Sequence, residues 1–403
     1  MTSSCDVIVV GGRCAGAATA MLLARSGVRV VLAERGRYGT DTLSTHALMR
    51  PGVVQLNRWN VLPALTRAGT PPVRKAAFHY GSEVVSFPIK PRDGVDALYA
   101  PRRALLDRVL VDAAREAGAE VLHEVRLADV MRSPEGRVSG ALLVDAAGRS
   151  RAVTAPLLVG ADGLYSSVAR HVGAATYRAG RHATGVVYGY WSGVEADEYR
   201  WCFGPGVAVG VIPTNDGVTC IFAATSAGRF LEEIRRDVHA GYHKLLAEFS
   251  PALAASVASA RRVEPLRGFP GVTGYFRQSV GPGWALVGDA GYFKDPLTAH
   301  GITDAFRDAE LLARAVLAGS EPALAAYQAA RDTAAGPIFE VTDDIASFDW
   351  DIEKLKGLHR VLNEEMAREA RAMAAFDATG GGVGVEGQTA RGSGLGHGAA
   401  PAG

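Results

Sequence analysis

The stretch Gly11-Gly12-Arg13-Cys14-Ala15-Gly16 follows a short β-branched run, Asp6 to Val10, and precedes a run of good helix formers, Ala17 to Ser26. Glycines at such a junction let the chain turn sharply and bring backbone N–H groups against a pyrophosphate, and the positive end of the following helix faces the same charge. Glu34, eighteen positions after Gly16, closes a second apolar run, Val28 to Ala33. A carboxylate there accepts both hydroxyl hydrogens of an adenosine ribose and repels a 2′-phosphate. The glycine spacing alone is a weak signal, because an ordinary α/β turn can carry it. The strand before it, the helix after it and Glu34 together favour a dinucleotide.

Two later blocks also deliver a carboxylate next to glycine at the end of an apolar strand. Leu158-Val159-Gly160-Ala161-Asp162-Gly163 leads into a helix start at Ser166 to Arg170, and Ala285-Leu286-Val287-Gly288-Asp289-Ala290 precedes Asp295-Pro296-Leu297-Thr298-Ala299-His300-Gly301-Ile302. The second turn opens a helix at about His300 to Ile302. An aspartate at a strand end can take a ribityl hydroxyl, and N–H groups at a helix start can stabilise negative charge on a reduced flavin ring.

These turns need strands and helices to hold them. The first forty residues read as a βαβ unit, Pro101 to Gly118 as a helix, and Glu120 to Ser133, Arg137 to Asp145 and Ala152 to Val159 as strands. From Tyr177 to Thr225 the pattern changes to strand-like runs joined by glycine, proline and Pro213-Thr214-Asn215-Asp216-Gly217, which predicts a separate, mainly antiparallel sheet. Arg229 to Ala260 reads as helical, Val280 to Val287 as a buried strand and Gly301 to Ala318 as an amphipathic helix. The expected fold class is α/β: a discontinuous FAD-binding Rossmann-like βαβ domain (1–76, 98–182 and 270–320), an antiparallel β-sheet substrate domain (77–97 and 183–269) and C-terminal helices (321–376). A glycine-rich tail (377–403) follows, with ten glycines from Gly380 onward, and is expected to be disordered.

The 403 residues suffice for a large core. Lys+Arg 43 against Asp+Glu 42 leaves a charge of +1 and no field for nucleic acid. Cys5, Cys14, Cys202 and Cys220 form no Cys-x-x-Cys pair, which excludes a disulfide scaffold and a cysteine zinc site, so no metal site is expected and a reducing, cytoplasmic compartment fits. No apolar run approaches the roughly eighteen residues of a membrane span, so no integral membrane segment is expected.

In their order and separation, the three blocks resemble the FAD-dependent monooxygenases of the para-hydroxybenzoate hydroxylase type, whose scaffold is shared by geranylgeranyl reductases and flavin-dependent halogenases. The resemblance covers about residues 4 to 320 and is specific for FAD, much less so for the substrate. It implies that Gly11, Gly12, Ala15 and Gly16 hold the pyrophosphate, that Glu34, with Arg35 beside it, binds the adenosine ribose, and that Arg103 reaches the phosphate and ribityl region. Gly288 and Asp289 would meet the ribityl chain, and Pro296, Ala299, Gly301 and Ile302 would lie beneath the pyrimidine edge. Asp162 and Gly163 belong to a block associated with FAD and NAD(P)H contact. Arg13 replaces a glycine, and it is expected either to point away from the phosphate or to pair with it. Cys14 replaces the usual proline, and Ala299-His300-Gly301 stands where Gly-x-Gly is commoner.

His46, in the loop that passes near the isoalloxazine in the resembling family, reads either as a contact to flavin or reductant or as a loop histidine bonded to backbone. His300 reads as a charge that favours anionic reduced flavin or as a simple cap. Tyr188, Tyr190, Trp191, Trp201 and Phe203 cluster in the middle sheet; plain packing is their commoner use, and Tyr188, Tyr190, Trp201 and Phe203 are the candidates to line a ligand cavity. Lys75 lacks the context of a halogenase lysine, and Gly210-Val211-Ile212-Pro213 keeps only the last two positions of the halogenase Trp-x-Trp-x-Ile-Pro signature. The activity expected from the resemblance is an NAD(P)H-dependent monooxygenase acting on an aromatic or apolar small molecule through a flavin C4a-hydroperoxide. A flavin reductase of isoprenoid-like double bonds and a non-redox FAD-containing binder are its rivals. No second nucleotide-binding glycine turn appears, so NADPH or NADH would dock transiently or an external electron donor would replace it.

Overall fold

The computed structural model describes residues 2–378. The glycine-rich stretch from Gly380 onward, read above as a disordered tail, lies outside the described residues. At the centre is a six-stranded sheet in the order Val280–Gly281, Trp284–Leu286, Leu157–Gly160, Val7–Val10, Val30–Glu34 and Glu120–His123. Every neighbouring pair is parallel except the outermost, Val280–Gly281 with Trp284–Leu286. Val7–Val10 and Leu157–Gly160 are buried at every position, as continuous apolar runs in a parallel sheet covered on both faces must be. The single strand expected at Val280 to Val287 is instead two short strands. Gly283, at φ 78°, turns the chain back between them, a conformation the Gly281-Pro282-Gly283 sequence accepts without strain. Helix Cys14–Arg25 packs against helices Arg103–Glu116 and Gly301–Leu317.

A second large sheet runs Arg261–Arg262, Thr184–Ser192, Thr219–Ser226, Val207–Pro213, Tyr199–Gly204, Lys75–Tyr80 and Glu83–Pro88, with Arg267–Phe269 also paired to Thr184–Ser192. It was expected to be mainly antiparallel, and one pair departs: Tyr199–Gly204 lies parallel to Lys75–Tyr80. These strands come from distant parts of the chain, and only a long connection can join parallel neighbours. The register sends alternate residues to opposite faces. Tyr188, Tyr190, Phe222, Trp201, Phe203 and Phe78 share the inner face. Val187, Trp191, Ile221, Val209 and Cys202 face the other way, onto helix Val238–Phe249. Helices Glu321–Ala346 and Ile352–Ala378 complete the described chain. No helix among the described residues is long and apolar enough to cross a membrane.

Candidate cofactor site

The three sequence blocks meet at the carboxyl ends of adjacent parallel strands. Val10 pairs with Gly160, and Gly160 with Leu286. Backbone bonds continue past the strand ends, from Gly11 N to Ala33 O (2.8 Å), Ala161 N to Val10 O (2.7 Å) and Val287 N to Gly160 O (2.9 Å). Contact between the blocks is too close for side chains at the glycines. A Cβ on Gly11, whose φ is 104°, would stand 2.3 Å from Ala161 O; one on Gly16 would stand 1.8 Å from Gly11 O; and one on Gly288 would stand 2.9 Å from the Ala15 Cβ.

Helix Cys14–Arg25 begins at this junction with no side-chain cap and no acidic residue in its first turn. Beside it, the buried Asp107 carboxylate receives Arg13 at 3.0 Å and Arg103 at 3.0 Å, and the Cys14 thiol donates to it at 3.2 Å. Two guanidinium groups on one carboxylate leave a positive charge beside uncapped N–H groups, an environment that suits a pyrophosphate. Of the alternatives for Arg13, the structure shows a side chain committed to Asp107 and to Thr40 O at 3.4 Å. Arg103, hydrogen-bonded to Asp107, also interacts electrostatically with Asp289.

Glu34 accepts from Gly12 N at 2.6 Å and from Gly36 N at 2.7 Å, one bond to each oxygen. Each oxygen keeps lone-pair capacity for a hydroxyl. Gly12, Arg13 and Glu34 line a cleft closed by Tyr38, Thr40 and His123. Arg35 is exposed and makes no ion pair among the described residues. The half-buried Asp289 carboxylate receives no hydrogen bond there either. Burial first, then the neighbouring Asp304 charge, push its pKa up to about 6 against the pull of Arg103 and Lys294. Around the last turn, Pro296 and Gly301 are exposed, Ala299 sits at φ 52°, and beyond its chain neighbours and its own helix backbone nothing stands within 4 Å of where a Gly301 Cβ would be, while Ile302 is buried. An unpartnered carboxylate, an uncapped helix start and an open turn on one rim fit FAD.

Other expected residues take different places. Asp162 accepts from Ser166 Oγ (2.5 Å), Ser167 N (2.6 Å), Ser167 Oγ (2.6 Å) and Val168 N (3.2 Å), so its carboxylate braces the start of helix Ser167–Val172. Gly163, at φ 78° with open space about it, is the member of that pair whose surroundings admit a ligand. His300, read as a ring facing the flavin or a simple cap, stands at the N-cap position of helix Gly301–Leu317 without capping it through its side chain. Its side chain is fully enclosed, with Nε2 2.7 Å from Glu369 on the last helix, and makes no cap bond. Ligand atoms of His300, Asp304 and Glu369 lie within 4.8 Å of one another, but Lys294 and Arg307 already pair with the two carboxylates.

On the sheet's inner face, His46 does join Tyr188 and Tyr190. His46 Nε2 is 3.1 Å from Tyr190 Oη, the two rings stack at 5.6 Å, and Ser44 N donates to Tyr188 Oη at 3.0 Å. Burial, aided by the Arg102 charge, pushes the His46 pKa down to about 3, so the ring is neutral. Trp201 packs at 6.1 Å from Phe222, and Phe203 is covered by His359 of the last helix at 4.6 Å, so Phe203 serves helix packing. Trp191 faces away and donates to Tyr242 Oη at 3.1 Å. The sequence reading missed the charges beside the tyrosines: Arg102 lies 3.7 Å over the Tyr190 ring and pairs with Glu264 and Asp41, and Arg267 pairs with both carboxylates as well. These residues come from three remote segments, and only the Arg102-Arg103 doublet beside an expected site residue could have flagged them.

A glycine turn with Glu34 and Asp289 at the carboxyl ends of strands in one parallel sheet is an arrangement that suits a dinucleotide. A family model for the FAD binding domain matches residues 4–340, and the chain belongs to that family of FAD-dependent oxidoreductases. It is 28% identical over 389 residues to the digeranylgeranylglycerophospholipid reductase of Methanothrix thermoacetophila, covering 90% of this chain and 93% of that protein. It is 27% identical over 343 residues to the menaquinone reductase of Mycolicibacterium smegmatis, covering 79% of this chain and 78% of that one. Among solved structures, P. aeruginosa PqsL in complex with 2-aminobenzoylacetate shares the fold with a TM-score of 0.73 at 23% identity, over 89% of this chain and all of that one. The flavin-dependent halogenase CmlS gives a TM-score of 0.73 at 22% identity, over 84% of this chain and 63% of the halogenase.

Proposed function

We propose that this oxidoreductase is an NAD(P)H-dependent monooxygenase that hydroxylates an aromatic or apolar small molecule. The observation that supports the reading is the inner face of the second sheet, where Tyr188, Tyr190, Trp201 and Phe222 form one buried aromatic layer. A substrate admitted beside this layer would be recognised by its flat or apolar area, with the tyrosine hydroxyls already held by Ser44 N and His46 Nε2. FAD, when bound, supplies hydride acceptance and the activation of dioxygen. The chain's own part is to bind, orient and exclude water. Gly11, Gly12, Ala15 and Gly16 carry the pyrophosphate, Glu34 the ribose and Asp289 a ribityl hydroxyl. His46, held neutral by burial, shares a hydrogen bond between Nε2 and Tyr190 Oη and so orients the phenol. NADPH or NADH docks transiently, or an external donor delivers the electrons.

A second reading, reduction of an isoprenoid-like double bond, is favoured by the two reductases that match most of this chain. The two part on the product. The purified protein is reduced with NADPH, NADH or dithionite and given candidate aromatics and polyprenyl lipids, with and without oxygen. A product that gains one oxygen atom only in air is the expected result; one that gains two hydrogens without oxygen establishes the reductase, and neither sinks both readings.

A further inference from the structure

Glu369 lies 69 positions from His300 in sequence, yet its two oxygens hold both ends of the first turns of helix Gly301–Leu317. Oε2 is 2.7 Å from His300 Nε2, at the residue before the helix, and Oε1 accepts from Arg307 at 2.5 Å. Arg307 also donates to Asp304 at 2.8 Å and Asp308 at 2.7 Å, and Lys294, from ahead of the turn, pairs with Asp304. All these side chains are buried. The turn thus has one side gripped from the last helix through His300, and one side open at Pro296 and Gly301.

We propose that Glu369 is a positioning residue for the flavin edge of the cofactor, and that FAD loading and docking of helix Ile352–Ala378 are one coupled equilibrium. The inference rests on the reading that the turn Ala299–Ile302 faces the flavin. Withdrawing Glu369 leaves a buried guanidinium short of a carboxylate and a buried imidazole nitrogen without its partner, and a half-satisfied buried network is costly. The turn therefore holds its shape when the last helix is docked, and by reciprocity a cofactor seated on the turn tightens the docking.

Amide hydrogen exchange across Ile352–Ala378, measured on the full chain with and without FAD, tests this. FAD should slow exchange in that helix by at least about fivefold in the native protein. The FAD-dependent slowing should vanish in Glu369→Ala and survive in part in Glu369→Gln, which keeps an acceptor for His300. A merely structural role would speed exchange equally in both states, and that result overturns the proposal, as does slowing that persists in Glu369→Ala. Should Glu369→Ala fail to fold, the Gln variant decides alone: full native slowing there counts against the coupling. Gly301→Val checks the underlying placement, because a side chain in that open space should lower FAD affinity about tenfold. If Gly301→Val binds FAD normally, the placement of the turn is wrong; if it weakens FAD while Glu369→Ala leaves the slowing intact, only the coupling is wrong.

Discussion

Asp289 and Glu34 are both carboxylates at strand ends, and their surroundings give them opposite behaviour. Glu34 is anchored by two backbone donors, so its loss should act mainly on the ligand: Glu34→Ala should weaken FAD retention by about 1 to 3 kcal/mol in equilibrium dialysis, the cost of a charged hydrogen bond. Asp289 has no donor in the ligand-free fold, and its pKa is raised to about 6. A raised acid contributes stability that is present below the ordinary pKa of 3.8 and lost as pH climbs through about 6. The apoprotein should therefore lose unfolding free energy over that window, and Asp289→Asn should flatten the loss in urea titrations at several pH values. Asp295, also raised to about 6, adds a second and independent part of the slope. With FAD present, Asp289→Ala should reduce affinity by about an order of magnitude. The strand-end positions of Glu34 and Asp289 were legible because continuous apolar runs precede them. His300 was not, since its partner Glu369 arrives from a helix whose sequence carries no sign of where it docks.

At the scale of elements, the βαβ turn declared itself because backbone geometry dictates its residues. Gly11→Ala places a Cβ 2.3 Å from a backbone oxygen at a left-handed φ, so it should abolish FAD binding and lower the melting temperature measured by circular dichroism. The second sheet was legible as strands but not as a surface. Strand Thr184–Ser192 is buried on both faces, so the period-two alternation that would sort Tyr190 from Trp191 is absent from the sequence. Gly210 marks the inner face, since a Cβ there would stand 2.0 Å from the Phe222 ring. Gly210→Ala should displace that ring and destabilise the protein by about 1 to 3 kcal/mol in denaturant titration, while leaving the glycine-turn end of the FAD site untouched. The parallel pairing of Lys75–Tyr80 with Tyr199–Gly204 could not be read from either strand, because nothing local distinguishes a parallel edge from an antiparallel one.

For the molecule as a whole, FAD binds the folded chain at a junction of three remote segments, so it should stabilise the fold by about 2.7 kcal/mol when present at a hundred times its dissociation constant, seen as a concentration-dependent rise in melting temperature. The strand order has a consequence for how the chain is made. Val7–Val10 emerges from the ribosome well before its neighbour Leu157–Gly160, and Trp284–Leu286, which brings Asp289 behind it, comes later still. At ordinary elongation rates the wait between the second and third of these strands is on the order of ten seconds. Through that interval the apolar edge of Leu157–Gly160 has no strand to cover it, and the nucleotide turn at Gly11 to Gly16 is in place without the segment that completes the cofactor site. A complete site for FAD thus exists only after residue 289 has been delivered, late in biosynthesis.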